Sequence, residues 1–193
     1  MRRLAIYCGS ASPPDAIYLT AARAVGQALA ERGIGVVYGG GRLGLMGALA
    51  DAALAAGGTV IGVIPQALED AEVAHRGLTE LHIVGTMHER KQLFTDLADG
   101  FLALPGGTGT MDELWEALSW AQLGYHAKPV GLLNVAGYYD ALIAFWEKAG
   151  EVGFVRAPHR ALLHAGSDLG DLLGRMAASH PVQPIIYSRA EDL

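Results

Sequence analysis

The sequence predicts an α/β fold, a single Rossmann-like domain built on a doubly wound parallel sheet. Short apolar runs alternate with amphipathic helical patterns along the chain. Several of the apolar runs are nearly free of polar residues, as expected when helices cover both faces of a parallel sheet. Two junctions between a predicted strand and the following helix are rich in glycine, which is typical of ligand-binding turns in this fold class.

The predicted elements follow from these patterns in chain order. Six apolar runs are predicted strands, at residues 4–8, 35–38, 59–64, 81–84, 101–104 and 130–133. Six amphipathic segments are predicted helices, at residues 15–32, 45–56, 87–97, 111–123, 138–149 and 169–178. The longest irregular segment, residues 65–80, has a length that is often functional in a compact domain. We expect residues 1–180 to form the domain and residues 181–193 to form a C-terminal tail.

Composition limits the classes of function. The chain has 193 residues, of which 51% are hydrophobic and 18% are charged, and this suits one compact domain with a sizeable core. The formal net charge is -6, and no block of like charge stands out. Wrapping a nucleic-acid backbone needs a basic stripe, so we expect no nucleic-acid partner. A local basic pocket for one phosphate is compatible with this balance.

The chain shows no sign of a membrane or export segment. No stretch approaches the roughly 18–20 consecutive apolar residues of a membrane span. The apolar run after the basic N-terminus stops at Gly9 and Ser10, which is too short for a signal peptide. The single cysteine, Cys8, excludes an intramolecular disulfide and is expected to be an inert core thiol. We therefore expect a cytoplasmic protein without a membrane partner.

The most informative run in the chain is Leu104-Pro-Gly-Gly-Thr-Gly-Thr-Met-Asp-Glu113. It follows an apolar strand and opens a predicted helix, the position where a parallel sheet presents backbone N–H groups to an anion. Glycine lets the backbone approach a phosphate closely, and a threonine hydroxyl can add a hydrogen bond. The residues expected to bind a phosphate here are Gly107, Thr108, Gly109 and Thr110.

Glu113 in this run has two interpretations. A carboxylate beside a phosphate suggests chemistry on a phosphorylated sugar. The spacing of Thr110 and Glu113 also fits a capping box, in which the glutamate only bonds back to the start of its helix. Capping alone does not require the glycines upstream. The run is not a Walker loop, because no lysine precedes its threonines.

A second glycine cluster, Tyr38-Gly-Gly-Gly-Arg-Leu-Gly-Leu-Met-Gly47, also joins a predicted strand to a predicted helix. It satisfies the dinucleotide-binding pattern G-x-G-x-x-G, but no acidic residue closes the next strand to bind a ribose. We therefore disfavour NAD binding and expect no cofactor. Contact with a phosphate or ribose through Gly40 and Gly41 is expected, with tight strand–helix packing as the alternative. Ser10, after the first strand, either contacts a ligand or forms a turn.

The segment Met87-His-Glu-Arg-Lys91 places Arg90 on the inward-facing stripe of its predicted helix. A guanidinium at a core-like position needs a fixed anionic partner. The alternative is a snorkelling arginine in a structural salt bridge. Because the carboxyl ends of parallel strands share one edge of the sheet, we expect Arg90 and Lys91 to lie near Glu113. The histidines and the cysteine form no zinc-binding pattern, so no metal site is expected.

Together these motifs resemble the LONELY GUY family, whose members are cytokinin riboside 5′-monophosphate phosphoribohydrolases. The resemblance is carried by Tyr38-Gly-Gly-Gly41, Met87-His-Glu-Arg-Lys91 and Pro105-Gly-Gly-Thr-Gly-Thr-Met-Asp-Glu113, and it extends to about residue 154. It implies a Rossmann-like homodimer that cleaves the N-glycosidic bond of AMP or an N6-modified AMP. The products would be ribose 5-phosphate and the free base, which for a modified base is an active cytokinin.

The resemblance also implies roles for individual residues. It implies that Arg90 and Glu113 form a catalytic pair. It implies that the substrate is bound by Glu72, Arg90, Lys91, Ser119 and the residues from Gly107 to Glu113. Ser119 stands where the family has a threonine and keeps the hydroxyl. The stretch from Glu69 to His75 differs from the plant members, so the preferred base stays open.

A hypothesis from another class is a non-catalytic carrier or sensor of a phosphorylated nucleotide or cofactor. Similar folds serve this role in molybdenum cofactor carrier proteins. The pair of Arg90 and Glu113 favours the enzyme, since a carrier needs no carboxylate beside a phosphate. In the enzyme, Glu113 would stabilise the positive charge that develops at C1′ or activate the attacking water. Arg90 would orient the ribose and Glu113 and help to neutralise the 5′-phosphate.

Overall fold

Seven parallel strands form one sheet in the part of the chain that the computed structural model describes, residues 1–70 and 73–185. The strands are β1 (Arg3–Tyr7), β2 (Gly35–Tyr38), β3 (Val60–Pro65), β4 (Glu80–Val84), β5 (Gly100–Ala103), β6 (Val130–Leu133) and β7 (Leu163–Gly166). Their spatial order is β4-β3-β2-β1-β5-β6-β7, and each neighbouring pair is parallel. This is the doubly wound sheet that the sequence predicts.

Helices connect the strands as crossovers. They are α1 (Ala16–Glu31), α2 (Gly44–Ala55), α3 (Gln66–Asp70), α4 (Met87–Leu97), α5 (Thr108–Leu123), α6 (Asp140–Glu151) and α7 (Leu169–Ala177). Two short 3₁₀ helices lie at Val135–Gly137 and Ala157–Leu162. No helix in residues 1–70 and 73–185 is long and apolar enough to cross a membrane.

The two faces of the sheet bury separate apolar clusters. Leu4 and Ile6 of β1 lie in the cluster that includes residues of α1, α2 and α7. Ala5 and Tyr7 of the same strand lie in the cluster formed with α4, α5 and α6. Alternate residues of a strand point to opposite faces, so a strand covered on both sides must be apolar throughout. Burying each large side chain contributes about 1.5–3 kcal/mol, and this accounts for the unbroken apolar runs.

The strand order reverses between β1 and β5. The chain enters the sheet at β1, winds outward to β4, and returns to β5 on the other side of β1. In such sheets, the loops after the two central strands diverge and leave a crevice at the carboxyl edge. The loops that follow β1 and β5 are joined there by a hydrogen bond of 3.1 Å from the Gly9 N–H to the Pro105 carbonyl.

All six predicted strands and all six predicted helices are present, with shifts of a few residues at their ends. The strand β7 was not predicted, because its sequence Leu-His-Ala-Gly contains no apolar run and lies half-buried at the edge of the sheet. The prediction of an irregular segment over residues 65–80 is wrong for α3, which occupies Gln66–Asp70. The boundary of the predicted tail at residue 181 stays a prediction, and residues 186–193 lie outside the described part of the chain.

Candidate active site at the switch point of the sheet

A cavity of about 440 Å³ opens at the carboxyl edge of the sheet, where β1 and β5 diverge. Its polar lining comes from the loop after β1, the glycine cluster before α2, helix α4 and the start of α5. The lining residues are Ile6, Cys8, Gly9, Ser10, Gly39, Gly41, Leu43, Met46, Ile64, Leu68, Val73, Arg90, Gly107, Thr108, Gly109, Thr110 and Glu113. Most of the predicted site residues therefore meet in one place.

The start of α5 supplies backbone donors to this cavity. The helix begins at Thr108, its N-cap is Gly107, and no side chain caps it. The first N–H groups of a helix have no partner within the helix and carry a partial positive charge. Gly107, Thr108, Gly109 and Thr110 all line the cavity, so these groups lie at the place where an anion can bind.

The capping-box interpretation of Glu113 is wrong. Because α5 begins at Thr108 rather than near residue 111, Thr110 is already inside the helix and is buried. Glu113 lies beyond the first turn, too far along the helix to bond back to its N-cap. The chain does form a capping box, but at the start of α4, where Thr86 and Glu89 exchange hydrogen bonds with each other's backbone N–H groups.

Arg90 is fixed on the inner side of α4 by several partners. It is only 8% exposed. Its Nε donates to the Val63 carbonyl at 3.1 Å, and Nη2 donates to the Gly39 carbonyl at 3.3 Å. Its guanidinium also lies over the ring of Phe94, 5.2 Å from the ring centre. The remaining nitrogen, Nη1, lies 3.5 Å from Oε1 of Glu113. Two nitrogens of the Arg90 guanidinium therefore bind backbone carbonyls, and the third faces Glu113 in the cavity.

Glu113 is a buried carboxylate whose charge is not fully compensated. Its side chain is 11% exposed and faces Arg90 across the 3.5 Å gap. Burial raises the pKa of Glu113 to about 7, and the nearby Arg90 opposes that rise. Desolvation penalises the charged form of a carboxyl group, whereas a neighbouring cation favours it. A group that titrates near neutral pH can both stabilise positive charge and exchange a proton.

Lys91 is near Glu113, as predicted, but it does not line the main cavity in the described structure. Its Nζ pairs with Asp112 at 2.8 Å and also with Glu116. Burial alone would lower the pKa of Lys91, but hydrogen bonds to the two carboxylates raise it overall. Lys91 thus lies between the two acidic residues that flank Glu113 on α5 and compensates their charge.

The glycine cluster before α2 shapes the cavity by close packing. Gly41 lines the cavity, whereas Gly40 does not. Gly40 has a positive φ of 73° and packs against Ile64, and its carbonyl accepts a hydrogen bond of 2.8 Å from the N–H of His75. A Cβ atom on Gly39 would lie 2.1 Å from Nη2 of Arg90. Close packing therefore accounts for the glycines at 39 and 40, and the ligand contact predicted for Gly40 and Gly41 stays a prediction.

Three further predicted residues fall in different places. Ser10 lines the cavity. Ser119 is exposed on α5 and is not part of the lining in the described residues. Glu72 lies outside the described part of the chain. Cys8 is buried, as predicted, and burial raises the pKa of its thiol far above the usual range.

Sequence reasoning missed the apolar wall of the cavity. This wall comes from separate elements and includes Leu43, Met46, Ile64, Leu68 and Val73. Leu43 could have been found from its place inside the glycine cluster. Leu68 and Val73 belong to the segment of residues 65–80, which was singled out for its length, but neither residue was named as part of a site. Within residues 1–70 and 73–185, no group of three or more histidine, cysteine or acidic side chains could hold a metal ion.

The chain is thus a Rossmann-like protein with a candidate anion site and an Arg–Glu pair at the switch point of its sheet. Residues 46–176 match the family described as "Possible lysine decarboxylase". The chain belongs to this family, within which its sequence is similar to the LONELY GUY proteins.

Curated relatives show that similarity over most of the chain. One is the probable cytokinin riboside 5′-monophosphate phosphoribohydrolase LOGL9 of Oryza sativa subsp. japonica, which is 48% identical over 94% of this chain and 80% of the relative. Another is LOGL5 of the same plant, 48% identical over 91% of this chain and 71% of the relative. The cytokinin riboside 5′-monophosphate phosphoribohydrolase LOG5 of Arabidopsis thaliana is 41% identical over 98% of this chain and 83% of the relative.

Solved structures with a similar fold include molybdenum cofactor proteins. The molybdenum cofactor carrier protein of Chlamydomonas reinhardtii superimposes with a TM-score of 0.66 at 22% identity, over 92% of this chain and 98% of the carrier. The molybdenum cofactor binding protein of Rippkaea orientalis gives a TM-score of 0.59 at 23% identity, over 76% of this chain and 84% of that protein. At this identity the likeness establishes the fold and not the ligand.

Proposed function

We propose that this chain hydrolyses the N-glycosidic bond of AMP or an N6-modified AMP and releases the free base and ribose 5-phosphate. The observation that carries the proposal is the arrangement of Arg90 and Glu113, 3.5 Å apart, in the same cavity as the uncapped start of α5. An anion site and a reactive carboxylate in one cavity fit a substrate with a phosphate at one end and a scissile bond nearby. The curated relatives carry this activity in their names.

The reaction breaks the bond between C1′ of the ribose and a nitrogen of the base. As the bond between C1′ and the base nitrogen breaks, its electron pair leaves with the base and positive charge develops on the ribose ring. Water completes the reaction: its oxygen and one hydrogen go to C1′, and the other hydrogen ends on the base. A carboxylate beside C1′ favours both the developing cation and the loss of a proton from the attacking water.

Glu113 has the properties that this step needs. Its burial raises the pKa of the carboxyl group to about 7, so the ionised form can accept a proton near neutral pH. Arg90 holds the carboxylate in place and keeps a share of it ionised. The Arg90 guanidinium is itself held by the carbonyls of Gly39 and Val63, so it does not have to reorganise during the reaction.

The start of α5 is assigned the 5′-phosphate. Its N–H groups at Thr108, Gly109 and Thr110 give several donors and the positive end of a helix dipole. Binding energy from the phosphate can orient the sugar toward Glu113. Ribosides without the phosphate are therefore expected to be poor substrates. The apolar wall beside Arg90 would accept the base, and comparing AMP with isopentenyladenosine monophosphate would establish which base it prefers.

The name of the matched family does not fit this cavity. A decarboxylase that uses pyridoxal phosphate needs a lysine for the Schiff base. The chain has three lysines, Lys91, Lys128 and Lys148, and none is among the cavity lining in the described structure. Lys91 pairs with two carboxylates, Lys128 donates to the Thr95 carbonyl, and Lys148 lies on the surface beside Glu151.

The test is the variant Glu113→Gln with AMP and isopentenyladenosine monophosphate as substrates and free base as the readout. Removing the carboxylate while keeping its shape is expected to lower turnover about 10²- to 10⁴-fold. Binding of ribose 5-phosphate should be retained, because the start of α5 is unchanged. Glu147→Gln, the same change at an exposed position of α6, serves as the control. Near-normal turnover in Glu113→Gln would overturn the assignment, and no release of base by the unmodified protein would favour a carrier.

The resemblance also implies a homodimer, and the sequence pattern predicts a cytoplasmic protein; we retain both as proposals. Ser119 is exposed on α5 outside the cavity of its own chain, so its proposed contact with substrate calls for a second copy. Light scattering after size-exclusion chromatography would measure the oligomeric state. Replacing Ser119 by alanine without any effect on KM would remove this residue from the binding site.

A further inference from the structure

Two tyrosines bind the loop that leads into α5. The hydroxyl of Tyr139 donates to the Leu104 carbonyl at 2.6 Å. The hydroxyl of the preceding residue, Tyr138, donates to the Gly106 carbonyl at 2.7 Å. Neither tyrosine is among the residues that line the cavity. Both hydroxyls therefore contact the loop before α5 from outside the cavity that a substrate would occupy.

The other carbonyls of this loop are bound as well. The Pro105 carbonyl accepts a hydrogen bond of 3.1 Å from the N–H of Gly9. The Gly107 carbonyl accepts one of 3.1 Å from the N–H of Met111, within the first turn of the helix. Four consecutive carbonyls, from Leu104 to Gly107, are thus each held by a donor of the protein. A carbonyl oxygen that faced a phosphate would repel it, and these four carbonyls are all engaged with donors of the protein.

The bond from Tyr138 also sets the direction of a donor. In a trans peptide unit the C=O and N–H groups point to opposite sides of the chain. The Gly106 carbonyl and the Gly107 N–H belong to the same unit, so fixing the carbonyl toward Tyr138 turns the N–H to the opposite side. Gly107 lines the cavity and Tyr138 does not. From this we infer that the Gly107 N–H faces the ligand.

The two tyrosines are held by their own segment of the chain. The N–H of Tyr139 donates to Oδ1 of Asn134 at 2.8 Å, and Asn134 also donates to Asp140 at 2.7 Å. The rings of Tyr138 and Tyr139 pack edge to face with centres 4.8 Å apart. Tyr139 is 2% exposed, whereas Tyr138 is 44% exposed and packs edge-on against Tyr18. The loop between β6 and α6 therefore acts as a fixed support.

We propose that Tyr138 is a positioning residue for recognition of the 5′-phosphate: its hydroxyl binds the Gly106 carbonyl and so orients the Gly107 N–H toward the anion. Tyr139 supports the same loop by binding the Leu104 carbonyl, whose peptide unit with Pro105 carries no N–H. This inference rests on the proposed function, because it takes the start of α5 to be the phosphate site. Tyr138 would then help to select substrates that carry a phosphate. A substrate without a phosphate gains nothing from the orientation.

The experiment compares Tyr138→Phe with the unmodified protein on two substrates, AMP and adenosine. One hydrogen bond contributes about 0.5–1.5 kcal/mol, so kcat/KM for AMP is expected to fall about 2- to 12-fold. The value for adenosine should not change. The affinity for ribose 5-phosphate, measured by calorimetry, should fall by the same factor as kcat/KM for AMP. Tyr18→Phe removes a hydroxyl from the ring that packs on Tyr138 and should change none of these values.

Tyr139→Phe provides a second test of the loop. It should lower the melting temperature, because the buried Leu104 carbonyl loses its donor. Its selective loss for AMP should be smaller than that of Tyr138→Phe, since the peptide unit of Leu104 and Pro105 has no N–H to orient. An equal loss with AMP and adenosine in Tyr138→Phe, or no loss with either substrate, would overturn the positioning role of Tyr138. If the unmodified protein binds ribose 5-phosphate but releases no base, the proposed function fails while the calorimetric comparison still tests the tyrosines. If it does not bind ribose 5-phosphate, the positioning role fails too.

Discussion

The two glycine-rich turns of this chain look alike in sequence and differ in what their helices do with the first N–H groups. At the turn before α2, the N–H groups of Leu45 and Met46 both donate to the Gly9 carbonyl, at 3.1 and 3.3 Å. At the turn before α5, no side chain caps the helix, and its first residues line the cavity. The start of α2 is therefore closed by the protein itself, whereas the start of α5 is available to a ligand.

Glycine has two different roles in these turns, close backbone packing in one and open space for a ligand in the other. Before α2, glycine allows backbone to meet backbone: Gly44 has a positive φ of 61°, and a Cβ there would lie 2.4 Å from the carbonyl oxygen of Ser10. At the start of α5, a Cβ on Gly107 or Gly109 would meet no protein atom within 4 Å. Space left open beside uncapped N–H groups is what a bound anion requires. The two turns should therefore respond differently to the same substitution.

The largest effect is expected for Gly44→Ala, on stability. The added methyl group faces a backbone carbonyl that cannot rotate away, and alanine is disfavoured at positive φ. Strain and overpacking together are expected to lower the free energy of unfolding by about 3 kcal/mol, measured by urea denaturation. Gly57→Ala is the control, since Gly57 also has a positive φ but has open space around it. It should cost only about 1 kcal/mol, and equal losses in the two variants would contradict the packing role of Gly44.

Gly39→Ala would show that the α2 turn serves the site through Arg90. A Cβ at this position would lie 2.1 Å from Nη2 of Arg90 and would force the guanidinium away from the Gly39 carbonyl and from Glu113. Misplacing a catalytic group by about 1 Å can cost about 100-fold in rate, so kcat is expected to fall by that factor. Steady-state release of base from AMP measures it. Unchanged kcat would mean that Arg90 does not need its present position.

The difference between the turns was only partly visible in the sequence. The pattern of apolar runs predicted the sheet, and the position of Arg90 on the inner stripe of its helix predicted a buried guanidinium near Glu113. The Gly9 carbonyl that closes α2 could not be predicted, because the contact joins loops that are distant in the chain. The start of α5 was predicted too late in the chain, since glycine and threonine are weak helix formers and only the backbone geometry at Gly107 fixes the boundary.

Gly109→Ala would test whether the start of α5 is available to a ligand. Alanine favours a helix over glycine by up to about 1 kcal/mol, and its methyl group would meet no protein atom, so the fold should not be destabilised. The methyl group would instead project into space assigned to the phosphate, and the KM for AMP is expected to rise about tenfold, a cost of about 1.4 kcal/mol. Gly174→Ala is the matched control, because Gly174 is also helical and unobstructed but lies in α7, away from the cavity. A rise in KM in both variants would argue against a phosphate at α5.

The smallest effect is expected on the pH dependence of the reaction, through the charged residues around Glu113. Burial raises the pKa of Glu113 to about 7, so kcat/KM should fall as the pH drops through about 7, where the carboxylate is protonated. Lys91 and Arg90 lower this pKa, and the flanking Asp112 and Glu116 raise it. Replacing Lys91 by methionine removes one cation and leaves both flanking carboxylates without their shared partner.

The direction in which Lys91→Met shifts the pH–rate profile follows from these charges. Each change favours the neutral form of Glu113, so the acidic limb of the pH–rate profile should move to higher pH, with the plateau at alkaline pH retained. Lys148→Met, which removes a surface lysine beside Glu151, should leave the profile in place. A profile that falls equally at every pH in Lys91→Met would show instead that this lysine contacts the substrate, as the family resemblance implies, rather than setting the charge of Glu113.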